Sequence, residues 1–172
     1  MNKIYGQSAH KLLKMKIIAL HIKQNTANDT KLRGMVAQFE RLIAELNSKD
    51  LPVATTRFIN KEIEQVNRTE KSGNELRRLL VKNRAAIIKW LEKKHKIVPK
   101  YYYRNQWLVL GMLLFGVPIG LALGAPNGHT ALLAFGMPIG IAIGLTIGGQ
   151  KDKKALMEGR QLNITLKDTF CL

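Results

Sequence analysis

The feature that most constrains this chain is a run of 43 residues without a formal charge, from Trp107 to Gly149. A single membrane-crossing helix needs about 20 residues, so the run is too long for one and fits two. It divides at the polar cluster Pro126–Thr130, where Asn-Gly is a turn signal. The two limbs, roughly Trp107–Ala125 and Ala131–Gly149, are predicted to be helices because backbone polar groups in lipid need internal partners.

Three placements are compatible with this block. Two spanning helices are favoured, because each limb would be roughly 28 Å long and the hydrocarbon core is about 30 Å thick. A re-entrant hairpin is the second placement, since Gly and Pro are abundant here, and a buried hairpin of a soluble protein is the third. A cleavable signal peptide is not expected, because the block is far from the N-terminus.

Basic residues flank the block on both sides, whereas its central turn has none. Basic residues stay on the cytoplasmic side, so we predict a multi-pass membrane protein with both termini cytoplasmic. An aromatic cluster at the entry to the first limb is typical of the membrane interface. It comprises Tyr101, Tyr102, Tyr103 and Trp107.

The two limbs repeat each other at an offset of 20 residues. Phe115–Gly124 and Phe135–Gly144 are identical at seven of ten positions. Glycines fall every fourth residue in each repeat, which places them on one helix face and predicts close helix–helix packing in lipid. These candidate packing residues are Gly116, Gly120, Gly124, Gly136, Gly140, Gly144 and Gly148. The faces could pair within one hairpin or between subunits, where a closed ring is plausible.

Pro118 and Pro138 occupy equivalent places in the repeats, and each is predicted to kink its helix. Kinks at matched depth would bow both helices together. In a ring they could shape a vestibule, although a pore lined by Gly, Ala, Thr146 and aliphatic side chains would conduct poorly when narrow.

The part before the block predicts a cytoplasmic bundle of four helices, because apolar residues recur at helical spacing and no strand-like alternation competes. The helices are expected at roughly Ser8–Gln24, Lys31–Asn47, Thr56–Lys71 and from Asn74 to about His95. The fold class is therefore all-α, a basic helical bundle followed by a two-helix transmembrane glycine-zipper hairpin. The predicted domains are 1–98 for the bundle, 99–106 for an interfacial linker, 107–149 for the hairpin and 150–172 for a cytoplasmic tail.

The net charge of +16 is concentrated in residues 1–106, which hold 23 basic and 9 acidic residues. Attraction to anionic lipid, binding of nucleic acid and binding of an acidic protein all remain open explanations. The candidate contacts on the fourth helix are Arg77, Arg78, Lys82, Arg84 and Lys89.

Catalytic chemistry is not expected from the sequence. It contains no Gly-rich phosphate loop, the four histidines are scattered, and no cluster has the spacing of a metal site. We therefore predict no catalytic residues, no metal and no cofactor.

The order of parts, a basic all-helical module joined to a small membrane segment, resembles the membrane accessory protein of type VI-B CRISPR systems. That resemblance covers the whole chain as architecture. It implies a diverged HEPN-like helical module and an oligomeric membrane pore that strengthens antiviral defence. HEPN ribonucleases use Arg, four to six residues and then His, and the nearest match here is Lys89 with His95. Lys lacks the planar fork of Arg, so the resemblance does not imply ribonuclease activity.

Two functions follow as hypotheses. The first is an oligomeric, pore-like membrane protein, an accessory to RNA-guided antiviral defence that perturbs the inner membrane. Its partners would be further copies of the chain, membrane lipids and an RNA-guided RNase effector or RNA. The alternative is a membrane-anchored RNA-binding or scaffolding protein without a pore.

Overall fold

The computed structural model describes residues 15–22, 29–124 and 133–166, and most of them are helical. The chain divides after His95 into two compact units. The first contains the helices α1 (Thr30–Asn47), α2 (Val53–Asn67) and α3 (Gly73–His95). The division lies three residues before the predicted domain end at residue 98.

The core of the first unit follows from the amphipathic pattern of its helices. Apolar residues at spacings of three and four lie on one face of each helix, and burying that face stabilises short helices. The fully buried apolar side chains of this core include Phe39, Leu42, Ile59, Ile63, Leu76, Ile87 and Leu91. The three predicted helices in this region are confirmed, with ends shifted by up to four residues.

Asp29 caps the N-terminus of α1. Its carboxylate accepts a hydrogen bond of 2.9 Å from the Leu32 backbone N–H. One of the N–H groups that an α-helix leaves without an internal partner is satisfied in this way, which fixes where α1 begins.

The predicted helix Ser8–Gln24 is wrong over residues 15–22, which form no helix. The backbone N–H groups of Ile17, Ile18 and His21 donate instead to asparagine side chains of α1 and α2. These long-range bonds satisfy donors that a helix would use internally, and periodicity within the segment could not reveal them. The rest of that predicted helix lies outside the described residues.

The second unit contains two short strands that the all-α prediction missed. β1 (Val98–Pro99) and β2 (Gln161–Leu162) pair in parallel, with Val98 opposite Gln161. The Val98 N–H donates to the Arg160 carbonyl oxygen at 3.0 Å. Each strand has only two residues, which is too short to show a period of two in the sequence.

A continuous helix follows β1. It consists of α4 (Tyr102–Gly111), a π-helical turn (Met112–Gly116) and α5 (Val117–Gly124). Among the described residues this is the one helix that is long and apolar enough to cross a membrane. At about 1.5 Å per residue its 23 residues span roughly 34 Å.

α6 (Leu133–Met157) packs along this helix in the opposite direction. The pairing shows the direction, because Gly136 lies against Gly116 whereas Gly148 lies against Arg104. α6 runs eight residues beyond the predicted limb end at Gly149. The predicted turn, Pro126–Thr130, lies outside the described residues.

The two prolines have different surroundings although their repeats are nearly identical. The π-turn ends at Gly116, two residues before Pro118, and the Val117 N–H donates to the Met112 carbonyl oxygen. Pro118 cannot donate to the carbonyl four residues before it, and a wider turn is one way for a helix to absorb that loss. Pro138 lies inside the α-helix α6. The backbone around the two prolines therefore differs in helix type, and the matched kinks stay a prediction.

Candidate functional site

The first candidate site is the face where α6 meets the helix Tyr102–Gly124. Backbone lies directly on backbone there, because a Cβ placed at Gly140 would be 2.5 Å from the Gly116 nitrogen and 2.6 Å from the Gly111 carbonyl oxygen. At Gly144 the added Cβ would lie 2.0 Å from the Trp107 carbonyl oxygen. Only glycine fits at such positions, which is how small residues let helices approach closely in lipid.

The predicted glycines of the second limb lie on this face. Gly136 contacts Gly116 and Gly120, and Gly148 contacts the backbone of Tyr103 and Arg104. Gly124 is buried as well. The sequence left open whether the glycine faces pair within one hairpin or between subunits. The contacts described here are those within a single chain.

Gly111 belongs to the same face and was missed by sequence reasoning. A Cβ there would lie 2.4 Å from the Gly140 carbonyl oxygen. Gly111 precedes Gly116 by five residues, so a regular α-helix would turn it away from the four-residue ladder. The π-turn between them adds a residue to one turn and returns Gly111 to the face. The sequence did not signal this turn, because the spacing of Gly116 and Pro118 recurs at Gly136 and Pro138, which lie in a regular α-helix.

The opposite sides of these helices expose apolar side chains. Leu114 is 59% and Phe135 is 65% exposed, far more than in a soluble core. Leu113, Leu121, Leu123, Met137 and Ile139 are exposed too. Contiguous apolar surface of this kind marks contact with lipid or with other protein.

Aromatic and basic residues lie together where α4 begins and α6 approaches its end, and we call this end of the two helices the base. The Arg104 guanidinium carbon lies 4.3 Å from the Tyr101 ring centre, and the Lys151 ammonium lies 4.9 Å from that of Trp107. Rings with one polar edge beside basic side chains suit the headgroup region of a bilayer. The predicted interfacial cluster thus includes basic residues from both helices.

Asp152 of α6 binds the first turn of α4 at the same end of the two helices. Its two carboxylate oxygens accept hydrogen bonds from the backbone N–H groups of Tyr103 at 3.0 Å and Arg104 at 2.9 Å. The N-cap residue, Tyr101, makes no side-chain cap bond of its own. A carboxylate on a neighbouring helix therefore satisfies donors in the first turn of α4 and complements the helix dipole.

The second candidate site is the basic face of α3. Arg78, Lys82 and Lys89 are exposed, and Lys93 continues the same line. At 3.6 residues per turn these four positions fall within an arc of about 60°, opposite the buried face of the helix. We call these four residues the basic stripe.

Two predicted contacts do not belong to the stripe. Arg84 is 2% exposed, and its Nη1 donates to Gln38 Oε1 at 3.0 Å. Arg77 donates to both Asp29 carboxylate oxygens at 2.6 Å and also bonds Asn74. Both arginines therefore stabilise the bundle, and the surface predicted from sequence is corrected to Arg78, Lys82 and Lys89, to which the structure adds Lys93.

Asp29 has a pKa below its ordinary value of 3.8. The Leu32 N–H is the main cause and the Arg77 guanidinium is the second, because both favour the charged carboxylate. Because the pKa of Asp29 is lower in the folded state, its charged carboxylate stabilises the fold at pH values above the pKa of the unfolded chain. That contribution is lost as the pH falls through the lower, folded value.

Of the two residues nearest to the ribonuclease motif, Lys89 and His95, the histidine makes a hydrogen bond inside the bundle. His95 Nε2 lies 2.7 Å from Thr55 Oγ1, a contact between the end of α3 and the start of α2. Lys89 is exposed on the stripe. Within the described residues, no group of three or more metal-binding side chains occurs.

Comparison of the chain with protein-family models, curated proteins and solved structures gives no match.

Proposed function

We propose that this protein is a membrane-anchored module that holds RNA at the cytoplasmic face of a bacterial inner membrane. The helix Tyr102–Gly124 and α6 form the anchor, and both helices cross the bilayer. The observation that carries the proposal is the presence of two surfaces of different chemistry. The anchor exposes apolar side chains, which suit lipid, and α3 exposes four basic side chains, which suit phosphate groups.

Insertion is supported by the length of the helix Tyr102–Gly124, by its exposed leucines and by the aromatic and basic residues at the end where α4 begins. The base carries Arg104 and Lys151, whereas residues 125–132 hold no basic residue. The positive-inside tendency then places the base and both termini in the cytoplasm.

Leu114→Arg is expected to prevent stable insertion. Leu114 is exposed near the middle of the helix Tyr102–Gly124, where a charge costs about 2.5–3.5 kcal/mol. The full chain should stay in the membrane pellet after an alkaline carbonate wash, whereas the variant should be lost from it. Leu156→Arg is the matched control, because Leu156 is 61% exposed beyond the uncharged block. Equal retention of both variants would contradict a lipid-embedded helix.

RNA as the ligand of the basic stripe is supported by its geometry. Four cations along about 22 Å of helix, with the small residues Ala85 and Ala86 beside them, offer an unobstructed line to a phosphate backbone. The resemblance to an accessory of RNA-guided defence points to the same class of ligand. Phosphate contacts of this kind carry little sequence preference.

Reversing the charge of Arg78, Lys82 and Lys89 to Glu should weaken RNA binding by on the order of 100-fold at low salt. The slope of log affinity against log salt should fall by about 2, from three lost contacts at about 0.7 each. Binding is measured with the full chain in phosphatidylcholine vesicles, which carry no net lipid charge. The control triple variant has Glu at Lys31, Arg33 and Arg41, which are exposed on α1. An equal loss in both variants would indicate net charge alone.

A second arm separates RNA from lipid. If the stripe variant loses attraction to phosphatidylglycerol-containing vesicles while RNA binding is unchanged, the stripe serves the membrane surface and the RNA assignment is wrong.

An oligomeric pore is the second candidate, and the exposed apolar flanks favour it, because other copies could cover them instead of lipid. The glycine faces are occupied within one chain, so a ring would have to form through side chains such as Leu113, Leu121 and Phe135. Release of a trapped dye from vesicles by the wild-type chain would favour the pore. Retention of the dye together with RNA binding favours the anchor.

A further inference from the structure

Residues 15–22, called the strap, lie along α2 and are held mainly through their backbone. Asn60 pairs with the peptide groups on either side of Ile17: its Nδ2 donates to the Lys16 carbonyl oxygen at 3.1 Å, and its Oδ1 accepts from the Ile18 N–H at 3.0 Å. A side-chain amide thus acts here as the edge of a strand would.

Asn67 repeats the same pairing around Leu20. Its Nδ2 donates to the Ala19 carbonyl oxygen at 3.0 Å, and its Oδ1 accepts from the His21 N–H at 2.7 Å. At the end of α1, Asn47 Oδ1 accepts from the Ile17 N–H at 3.3 Å. Three asparagines therefore make five bonds to the main chain of one short segment.

The spacing of the two pairings fits an extended peptide. Asn60 and Asn67 are two turns apart on one face of α2, about 10.5 Å at 1.5 Å per residue. The bonded amides of Ile18 and His21 are three residues apart. The strap therefore advances about 3.5 Å per residue, the rise of an extended chain. The distance covered by seven residues of α2 therefore equals the distance covered by three residues of the strap, and each asparagine meets an equivalent pair of peptide groups.

Side chains of the strap contribute less than its backbone. Ile17 is 8% exposed, but Met15 is 41% and Ile18 is 37% exposed. A cavity of about 390 Å³ next to Ile17 is lined by Met15, Lys16, Leu46, Asn47 and Thr56, among others. Ile17 is the one buried residue of the strap, and a segment that buries few apolar side chains opens locally at low cost.

We propose that the Asn60–Asn67 face of α2 is a binding site for an extended peptide, and that its ligand in trans is the strap of a second copy of this chain. The strap is the segment whose backbone spacing is shown to fit, and every copy carries it. Exchange between copies remakes the same five hydrogen bonds, so it costs little beyond bringing the copies together. Anchoring in one membrane supplies that proximity.

The reach of the strap limits the exchange to neighbours. Asp29 is fixed by its cap bond and by Arg77, so the part that exchanges lies N-terminal to it. The chain from Ile22 to Asp29 covers at most about 24 Å when extended. This inference goes beyond RNA holding and does not depend on it.

The test uses a labelled synthetic peptide with the sequence of residues 15–22 and the full chain in detergent micelles. Substituting Ile18→Pro and His21→Pro in the protein removes the donors of its own strap, and the site should then bind the peptide at least tenfold more tightly than in the wild-type chain. A peptide methylated on the same two amide nitrogens should bind about 30-fold more weakly, the equivalent of two lost hydrogen bonds. Adding Asn60→Ala and Asn67→Ala should abolish binding. Equal binding of the methylated and unmethylated peptides would overturn the site.

A second measurement decides whether another copy supplies the strap. Two differently tagged chains, both carrying Cys171→Ser, are produced together, one with Ile18→Cys and the other with Glu64→Cys, an exposed position of α2 between Asn60 and Asn67. A short bismaleimide should link the two tags in membranes, and Ile18→Cys paired with an exposed Arg33→Cys should give no link. Co-purification of the tags without the link would show that copies associate but keep their own straps, which overturns the exchange. Neither result affects the RNA-binding test.

Discussion

Gly144→Ala is expected to separate α6 from the helix Tyr102–Gly124. The new methyl group would lie 2.0 Å from the Trp107 carbonyl oxygen and 2.8 Å from its carbon, and both atoms belong to the backbone. No rotamer change can relieve such an overlap, so the helices must move apart. Overpacking usually costs about 1–3 kcal/mol, and we expect a loss at or above the upper end here.

The same helix offers a matched control. Gly149→Ala is the identical chemical change five residues away, and nothing lies within 4 Å of the added Cβ. Its effect should be neutral or slightly stabilising, because Ala favours a helix over Gly by about 1 kcal/mol. Amide hydrogen exchange of residues 103–116 in detergent micelles measures both variants. Protection should fall in Gly144→Ala alone, and equal protection would mean that the close contact is not needed.

Regular periodicity is what made the glycine face predictable. Gly136, Gly140 and Gly144 lie on an uninterrupted α-helix, so a spacing of four placed them correctly on one face. Gly111 was missed because a π-turn changes the local period. A repeat at the level of residues did not guarantee a repeat at the level of backbone.

Interactions between distant residues limited the rest of the prediction. Three of the four helices predicted for the first unit follow from local spacing and are confirmed. The strap is held by Asn47, Asn60 and Asn67, which lie 30 to 46 residues away along the chain from the amides they accept. Likewise β1 pairs with β2, which follows α6 in the sequence, so Val98 and its partner Gln161 are far apart along the chain. Nothing within either segment reports such bonds.

The error at Arg84 was avoidable from the sequence. It lies within a run of buried positions, Leu80, Ile87 and Leu91 among them, whereas Arg78, Lys82 and Lys89 fall on the opposite side of the same helix. Counting basic residues merged two faces that a helical projection separates. The distinction matters because the two classes of arginine should respond differently to substitution.

Arg84→Ala is expected to destabilise the bundle strongly. Arg84 is among the largest fully buried side chains, and its truncation removes both the packing of its stem and the bond to Gln38. Large-to-small changes at such positions cost about 3 kcal/mol or more. Arg78→Ala, on the exposed face, should change stability by less than about 0.5 kcal/mol. Urea unfolding of the full chain in detergent micelles, followed by circular dichroism, compares the two.

Arg84→Met then separates stability from binding. Methionine keeps much of the buried volume without the charge, so a folded protein with part of the lost stability restored is expected. If Arg84 acts only inside the bundle, this variant binds RNA as the wild type does, although its net charge has fallen by one. Arg78→Met makes the same change in charge on the basic stripe and should weaken binding and lower the salt slope by about 0.7. Equal losses from both would mean that RNA responds to total charge and not to the stripe.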